Sequence, residues 1–400
     1  MPTWSARGTS WVARFATAEA VRRLSIFGSP AAAARYGTLD GVTTVPFAIV
    51  GSGWRAAFYL RIARELPERF AVAGLYSRNP STRATVARDW AVRTPATLGE
   101  LLASGPAFVV LSVPPRATPG LLEELTRRDI PVLTETPPAP DFDGLRALEP
   151  LARRGARIQV AEQYQFQPLH AARLAIARSG RLGTISHAQV SAAHGYHGMD
   201  LLRRFLDDRF GPVSIRAQRF ESTIVAGPDR AGPPRDERIV PASQVVATLD
   251  FDGRLGVHDF TEDQYFSRIR SNRLLVRGER GEINDTTVRW LEDATTPVRM
   301  DLQRHETGRD GNLEGLGFTG ITLGTEWLVR TEFAGARLSD EELAVATCLA
   351  RMAEYIDGGP GFCDLAEGVH DHYLGLMIDA AVASGTTVRV GGHLWDEGRS

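Results

Sequence analysis

Lysine is missing from this sequence. All 46 of its basic residues are arginine, and a guanidinium stays protonated at any working pH. Schiff-base chemistry and a lysine general acid are therefore excluded. Cysteine is nearly missing too, with only Cys348 and Cys363 in 400 residues. Two thiols in a chain of this length make no disulfide framework, which points to a reducing, cytoplasmic setting. Both are expected as small buried apolar residues in or beside helices. No apolar run approaches the length of a membrane span. The net charge of −2 is spread along the chain, so neither a nucleic-acid nor a membrane surface is expected. Metal-ligand spacing is also lacking. His370-x-His372 would put two rings on different helix faces, His194-x-x-His197 has no further spaced ligands, and no metal is expected. There is no Gly-x-Ser-x-Gly elbow for nucleophilic hydrolysis and no internal repeat.

What is present starts with size. Four hundred residues at 43% hydrophobic content can bury a substantial core and make two domains. Residues 1–42 are rich in Ala, Arg and Ser without periodicity, with Glu19 the only acid before Asp40. They loosely resemble a transit peptide but lack the apolar core and cleavage site of a secretory signal. A poorly ordered extension, or a start set too far upstream, is expected there.

The most informative segment is Val45-Pro46-Phe47-Ala48-Ile49-Val50-Gly51-Ser52-Gly53-Trp54-Arg55-Ala56. An apolar run reads as a buried parallel strand; it ends in Gly-x-Gly-x-x-Ala, and a helical pattern follows. This is the strand–turn–helix that holds a dinucleotide pyrophosphate. Gly51 permits the sharp turn, Gly53 removes the Cβ that would hold the backbone away from phosphate, and Ala56 lets helix and strand lie close. The phosphates would sit at a helix N-terminus. Further strands, Phe70–Tyr76, Ala107–Val113, Pro131–Thr134 and Ile158–Glu162 as a sixth, alternate with helices. The fold class predicted is α/β, with an N-terminal Rossmann domain, a doubly wound parallel sheet, over residues 43–163.

Beyond residue 163 the pattern changes. Helices are expected over Pro168–Ser179 and from near His197, with an alternating strand at Ile185–Ser191. Strand signals fill Val213 to about Met300, punctuated by Asp252-Gly253 and Arg280-Gly281, and Ala226–Pro241 reads as a long loop. A capping box at Ser339-x-x-Glu342 opens a helix to about Tyr355, and a last helix runs from about Asp364 to Ser384. Residues 164–390 are thus expected as an α/β substrate-binding and oligomerisation domain with a large, mostly antiparallel open sheet. One face of it would cover the cofactor and the other would pack against a second copy, giving a homodimer or homotetramer.

In this order the motifs resemble the glucose–fructose oxidoreductase / inositol dehydrogenase family, often written Gfo/Idh/MocA, across residues 45 to 390. The segments that carry the resemblance are Ala48–Gly53, Tyr76-Ser77-Arg78, Val113-Pro114, Thr134-Glu135-Thr136-Pro137, Gly195-Tyr196-His197-Gly198-Met199-Asp200 and Arg277–Gly281. It implies a nicotinamide cofactor contacted by Gly51, Ser52, Gly53, Trp54, Arg55, Ser77, Arg78, Val113, Pro114, Glu135 and Thr136. It implies a substrate cleft near Tyr164, Gln165, Gln167 and His194. The chain also departs from the family. The Glu-Lys-Pro lysine, which contacts nicotinamide and the substrate oxygen, is Thr136; the acid four residues before the histidine falls at Ala193; the histidine after Val-Pro falls near Thr118. What remains is His197, with Asp200 three residues on and on the same helix face.

Cofactor choice can be read separately. A strand-end Asp or Glu gripping the ribose 2′-hydroxyl marks an NAD enzyme. Here Ser77-Arg78 offers a hydroxyl and a guanidinium, which suit a 2′-phosphate, so NADP is favoured over NAD; a solvated arginine after a strand is the alternative. His197 is the acid–base candidate, with Tyr196 as a second proton donor and Asp200 as orienter. The expectation is an NAD(P)-dependent oxidoreductase, more NADP- than NAD-linked, moving hydride to or from a small polar carbonyl, carbinol or imine. The rival readings are a non-redox dinucleotide-binding sensor or degenerate subunit, and NAD-dependent glycosidase chemistry.

Overall fold

The computed structural model describes residues 38–39, 42–308 and 312–396. The expected N-terminal extension lies mostly outside the described residues, which begin with a two-residue antiparallel pairing of Thr38–Leu39 with Val42–Thr43.

The apolar run forms β1 (Val45–Val50), buried from Phe47 onward. It is followed by α1 (Ala56–Glu65), β2 (Phe70–Tyr76), α2 (Pro80–Trp90), α3 (Leu98–Leu102), β3 (Phe108–Leu111), α4 (Thr118–Arg127), β4 (Val132–Thr134), α5 (Phe142–Ala147), α6 (Glu149–Arg153) and β5 (Ile158–Val160). The strands make one parallel sheet in the order β2-β1-β3-β4-β5. Chain direction across the sheet reverses between β1 and β3, and a crevice opens there at the carboxyl ends of the strands. The sheet has five strands where the sequence reading reached six. Between α2 and α3 the chain only touches β2, through the Leu75 N–H donating to Arg93 O at 2.8 Å. Ala91 closes α2 in the left-handed region at φ 55°, and Pro95 has no N–H to give a ladder.

The second sheet has eleven strands. After α7 (Pro168–Arg178) come β6 (Ile185–Ser191), α8 (Gly195–Leu206), β7 (Val213–Val225), β8 (Ile239–Phe251), β9 (Arg254–Thr261), β10 (Arg273–Gly278), β11 (Gly281–Asn284), β12 (Thr287–Leu291), β13 (Pro297–Thr307), β14 (Gly317–Leu323) and β15 (Glu326–Arg330). Helices α9 (Asp340–Ile356) and α10 (Leu365–Ser384) and a short β16 (Val388–Val390) complete the chain. The order is β15-β14-β13-β12-β11-β10-β6-β9-β8-β7-β16, antiparallel except for the β6–β9 pair. The expected long loop is shorter, because β8 already starts at Ile239. Past Met300 the sequence reading stopped short: β13 leaves all of its residues at least partly exposed, while β14 is largely buried.

The two faces of this sheet differ. The row Ile215–Leu249–Gly256–Ala188–Val276–Ile283–Val288 crosses it from β7 to β12, and its apolar side chains are wholly buried. On the opposite face the neighbouring row reads Arg216–Thr248–Val257–Gln189–Leu275–Asn284–Thr287, with Phe220 and Leu255 half-exposed beside it. Helix α10 packs on α8 and β7. Helix α9 opens with the anticipated Ser339–Glu342 capping box; its first residue, Asp340, meets Arg304 of β13 at 2.8 Å, and it lies on α1, where Arg61 Nε meets Glu342 at 2.5 Å. No helix among the described residues is long and apolar enough to cross a membrane.

Candidate active site

A cavity of about 1070 Å³ opens at the carboxyl ends of β1 and β3 and runs to the N-terminus of α8. Gly51 makes the turn at φ +118°. A Cβ there would lie 1.8 Å from the Ser112 carbonyl oxygen, whereas one at Gly53 meets nothing within 4 Å. The first glycine is thus demanded by the protein's own backbone, and the second faces open space. Among the described residues, the N–H groups of residues 52–55 donate to no backbone carbonyl. They precede the first turn of α1, where an anion is favoured. At the rim, Ser52 Oγ donates to Ser77 Oγ at 3.0 Å, and Arg83 holds the Ser77 and Arg78 carbonyls. Ser77, Arg78, Asn79 and Thr82 line this end without a carboxylate. A dinucleotide would fit these residues, with phosphate at the N–H groups, ribose at the Ser77–Arg78 rim and nicotinamide toward Glu135 and Thr136. When bound it supplies a hydride to, or takes one from, a carbon held beside it.

All eleven expected cofactor residues line this cavity, as do Tyr164, His194, Tyr196 and His197. Beneath the nicotinamide end lies an ionic cluster. Tyr59 Oη donates to Glu135 Oε1 at 2.5 Å, Arg55 Nε lies 3.5 Å from Glu135 Oε2, and Arg55 Nη1 meets Glu341 of α9 at 2.7 Å. The Gln163 amide oxygen accepts from Arg55 Nη2 at 3.1 Å, with its nitrogen donating to Ala161 O. Burial raises the Glu135 carboxyl against the opposing pull of Arg55 and Tyr59. Arg55 is held charged: burial works against it, but Glu135 and Glu341 raise it overall.

The end of the cavity that holds His194, Tyr196 and His197 is built on α8. His194 is its N-cap residue, and Nδ1 of that ring sits 2.5 Å from the Tyr265 hydroxyl. His197, on the first turn, is 4% exposed, and its Nδ1 lies 2.6 Å from Glu162 Oε2. Glu162 Oε1 also accepts the Tyr164 N–H at 3.2 Å. Burial, first among the causes, pushes Glu162 up to about 8 and His197 down to about 3. The Tyr196 phenol is raised by burial and by Glu162, against a hydrogen bond with Thr136 that lowers it.

Three expected site residues lie elsewhere, among them Gln167, which precedes α7 as its N-cap and does not line the cavity. Asp200 does not orient His197: it is fully buried and accepts Arg204 Nε at 2.7 Å, because position i+4 on α8 carries a guanidinium that reaches it first. Gln165 does not line the cavity; its amide donates to the carbonyls of Glu162 and Phe362, tying the end of β5 to the segment before α10. The residues that sequence reasoning missed are Glu162, Gln163, Tyr265, Glu341 and Arg230. Arg230 reaches the Gly-rich loop from the β7–β8 connection and stacks 4.4 Å over Trp54. Only Glu162 had a signal, as an acid at the end of a predicted strand. One buried group of potential ligands exists among the described residues, Asp200, Cys363 and Asp371. Arg204 and Arg203 already occupy an oxygen of each acid there, at 2.7 Å each.

Fold and site together define a Rossmann-type oxidoreductase. Residues 45–162 match the Gfo/Idh/MocA family model, described as "Oxidoreductase family, NAD-binding Rossmann fold". No curated protein matches the sequence. Among solved structures, an oxidoreductase from Agrobacterium radiobacter in complex with NAD+, L-tartaric acid and magnesium aligns at TM-score 0.61 and 15% identity, covering 86% of this chain and 98% of that one. A myo-inositol dehydrogenase from Corynebacterium glutamicum aligns at TM-score 0.59 and 17% identity, covering 87% and 99%. A levoglucosan dehydrogenase in complex with NADH aligns at TM-score 0.63 and 14% identity, covering 87% and 99%. At such identities these likenesses carry the fold, which therefore extends over both sheets.

Proposed function

We propose that this protein is a cytoplasmic, NADP-preferring oxidoreductase that moves hydride between nicotinamide and a small polar carbonyl, carbinol or imine. Residues 43–163 would hold the cofactor and 164–390 the substrate. One observation carries the reading: a single cavity joins the Gly-rich loop to His197 and Tyr196, two groups able to exchange a proton with a reacting oxygen or nitrogen. With no lysine in the chain, reduction with His197 or Tyr196 as donor fits better than ordinary sugar-alcohol oxidation. The carboxylate-free rim at Ser77–Arg78 supports the 2′-phosphate. The exposed Phe220 and Leu255 on the outer sheet face support assembly of a homodimer or homotetramer through that face.

The test is to purify the protein, identify any bound nucleotide, and follow NADPH and NADH oxidation against a panel of carbonyls and imines. Turnover with NADPH on a panel member is the expected result. Tight nucleotide binding without turnover of any compound would make it a dinucleotide-binding sensor instead.

A further inference from the structure

We propose that Glu162 is the positioning residue of this site: its contact with Nδ1 sets which nitrogen of His197 carries the ring proton, and so whether the cavity is offered a proton or a lone pair. The inference rests on the hydride-transfer reading above.

The geometry is closed on every side. Glu162 follows β5, its side chain is 2% exposed, and both oxygens are engaged, Oε2 by His197 at 2.6 Å and Oε1 by the Tyr164 N–H at 3.2 Å. The imidazole is caged by Tyr196, Tyr164 and His194, with ring centroids at 4.4, 4.5 and 5.2 Å. With Nδ1 taken, Nε2 is the nitrogen left for a reactant. The family resemblance would put an acid at Ala193, but that residue has no carboxyl; its carbonyl accepts His258 Nε2 at 2.9 Å. The carboxyl that His197 meets comes instead from the Rossmann side of the cleft.

In a neutral imidazole, one nitrogen donates and the other accepts. A protonated Glu162 donates to Nδ1, which leaves the ring hydrogen on Nε2, facing the cavity. As a substrate oxygen gains negative charge, it takes the Nε2 proton while Nδ1 takes the Glu162 proton. The ring stays neutral and Glu162 is left as a carboxylate. The pair resets when Nε2 takes a proton from cavity water and Nδ1 returns one to Glu162. An ionised Glu162 accepts from Nδ1–H, which leaves a lone pair on Nε2 to take the proton of a carbinol. The charged and titratable groups around His197 are Arg55, Asp200, Glu341 and His194. Those around Glu162 are Arg204, Glu135 and Arg55, the Tyr164, Tyr196 and Tyr265 phenols and the Cys348 thiol, with Asp200 and Asp371 behind them. Burial outweighs these and pushes Glu162 up to about 8, so the exchange of tautomers falls near pH 8.

Glu162→Gln tests this. Its amide donates to Nδ1 at every pH but has no proton to give. The expected result is a fall in reduction kcat of about a hundredfold or more, loss of the pH limb near 8, and little change in KM or nucleotide affinity. Glu162→Asp, which retains a titratable carboxyl, should keep a limb and part of the rate. An unaltered pH profile and rate in Glu162→Gln would overturn the proposal. A readout independent of turnover uses 15N-labelled histidine, with the His197 signals assigned by their loss in His197→Gln. The ring proton should move from Nε2 at pH 6.5 to Nδ1 at pH 9.5 in the natural protein and stay on Nε2 in Glu162→Gln. One tautomer throughout in the natural protein, or the same exchange in Glu162→Gln, would overturn it. If no substrate is reduced, the hydride reading fails while this spectroscopic result still stands or falls alone.

Discussion

Asp200 accepts the Arg204 guanidinium at 2.7 Å, one turn further along α8, with the carboxylate fully buried. Breaking a buried pair from one side leaves an uncompensated charge and costs about 3–5 kcal/mol. Asp200→Ala should therefore lower stability in denaturant melts by roughly that amount, while the folded fraction keeps most of its kcat. A large loss of kcat with stability unchanged would return Asp200 to the acid–base machinery.

His197→Ala removes the ring that faces the cavity. Reduction kcat should fall by about 10²–10⁴, the usual worth of a general acid, with NADPH affinity little changed. If His197→Ala retains turnover and Tyr196→Phe does not, the phenol is the donor. Retention by both variants would place the proton source in water or in the substrate.

Arg78→Ala should weaken NADPH binding about ten- to a hundredfold and NADH binding much less. A charge-assisted hydrogen bond to phosphate contributes about 1.5–3 kcal/mol, and only the 2′-phosphate offers that contact. Fluorescence titration with both nucleotides decides this, and equal weakening would reduce Arg78 to a solvated or adenine-stacking side chain.

The two loop glycines should separate stability from binding. Gly51→Ala forces a Cβ toward the Ser112 carbonyl at a φ of +118°, so stability should drop by about 1–3 kcal/mol from backbone strain alone. Gly53→Ala meets open space and should leave the melting temperature nearly unchanged while weakening nucleotide binding. Reversed effects would mean that the phosphates do not pass over Gly53.

Buried titratable groups also fix the pH of greatest stability. Burial lowers His170, His194 and His197 to about 3 and His370 to about 2. Below about pH 6.5 the unfolded chain takes up protons that the folded one refuses, so stability falls as pH drops. Burial raises Glu162 and Asp371 to about 8. Those two hold protons that the unfolded chain has lost, so they remove stability as pH rises toward 8. Each group contributes at most about 1.4 kcal/mol per pH unit. His187, His258, His372 and His393 are lowered as well, and Glu135 and Asp200 raised, so eight histidines against four acids put the maximum near pH 6.5, with a decline already between 6.5 and 8. Chemical denaturation across that range would show a flat or rising curve if these acids were ionised in the folded protein.

Much of the nucleotide side was legible because its causes are local. Gly51 answers to a turn a few residues long, Ser339 and Glu342 cap the helix they open, and a buried strand such as Phe47–Val50 shows as an unbroken apolar run. Glu162 was not assigned because its partner lies 35 residues away on another element, and no spacing rule connects the end of β5 to the start of α8. Asp200 misled for the converse reason. It shares a helix face with His197, but it also shares one with Arg204, and only packing decides which neighbour a buried carboxylate meets. Gln165 stood in the right segment and pointed the other way.

The sequence by itself determined the strand–turn–helix that cradles a dinucleotide, the absence of any lysine acid, and the polar rim at Ser77–Arg78. These follow from residue type and short-range geometry. The tertiary structure alone decided that α9 returns to the nucleotide side with Glu341 for Arg55 and that His197 finds its carboxyl across the cleft. It also decided how deeply this carboxyl is buried, and that burial pushes it up. Each of these depends on which distant surfaces meet and how much water they exclude, and burial of that kind is a property of the packed chain.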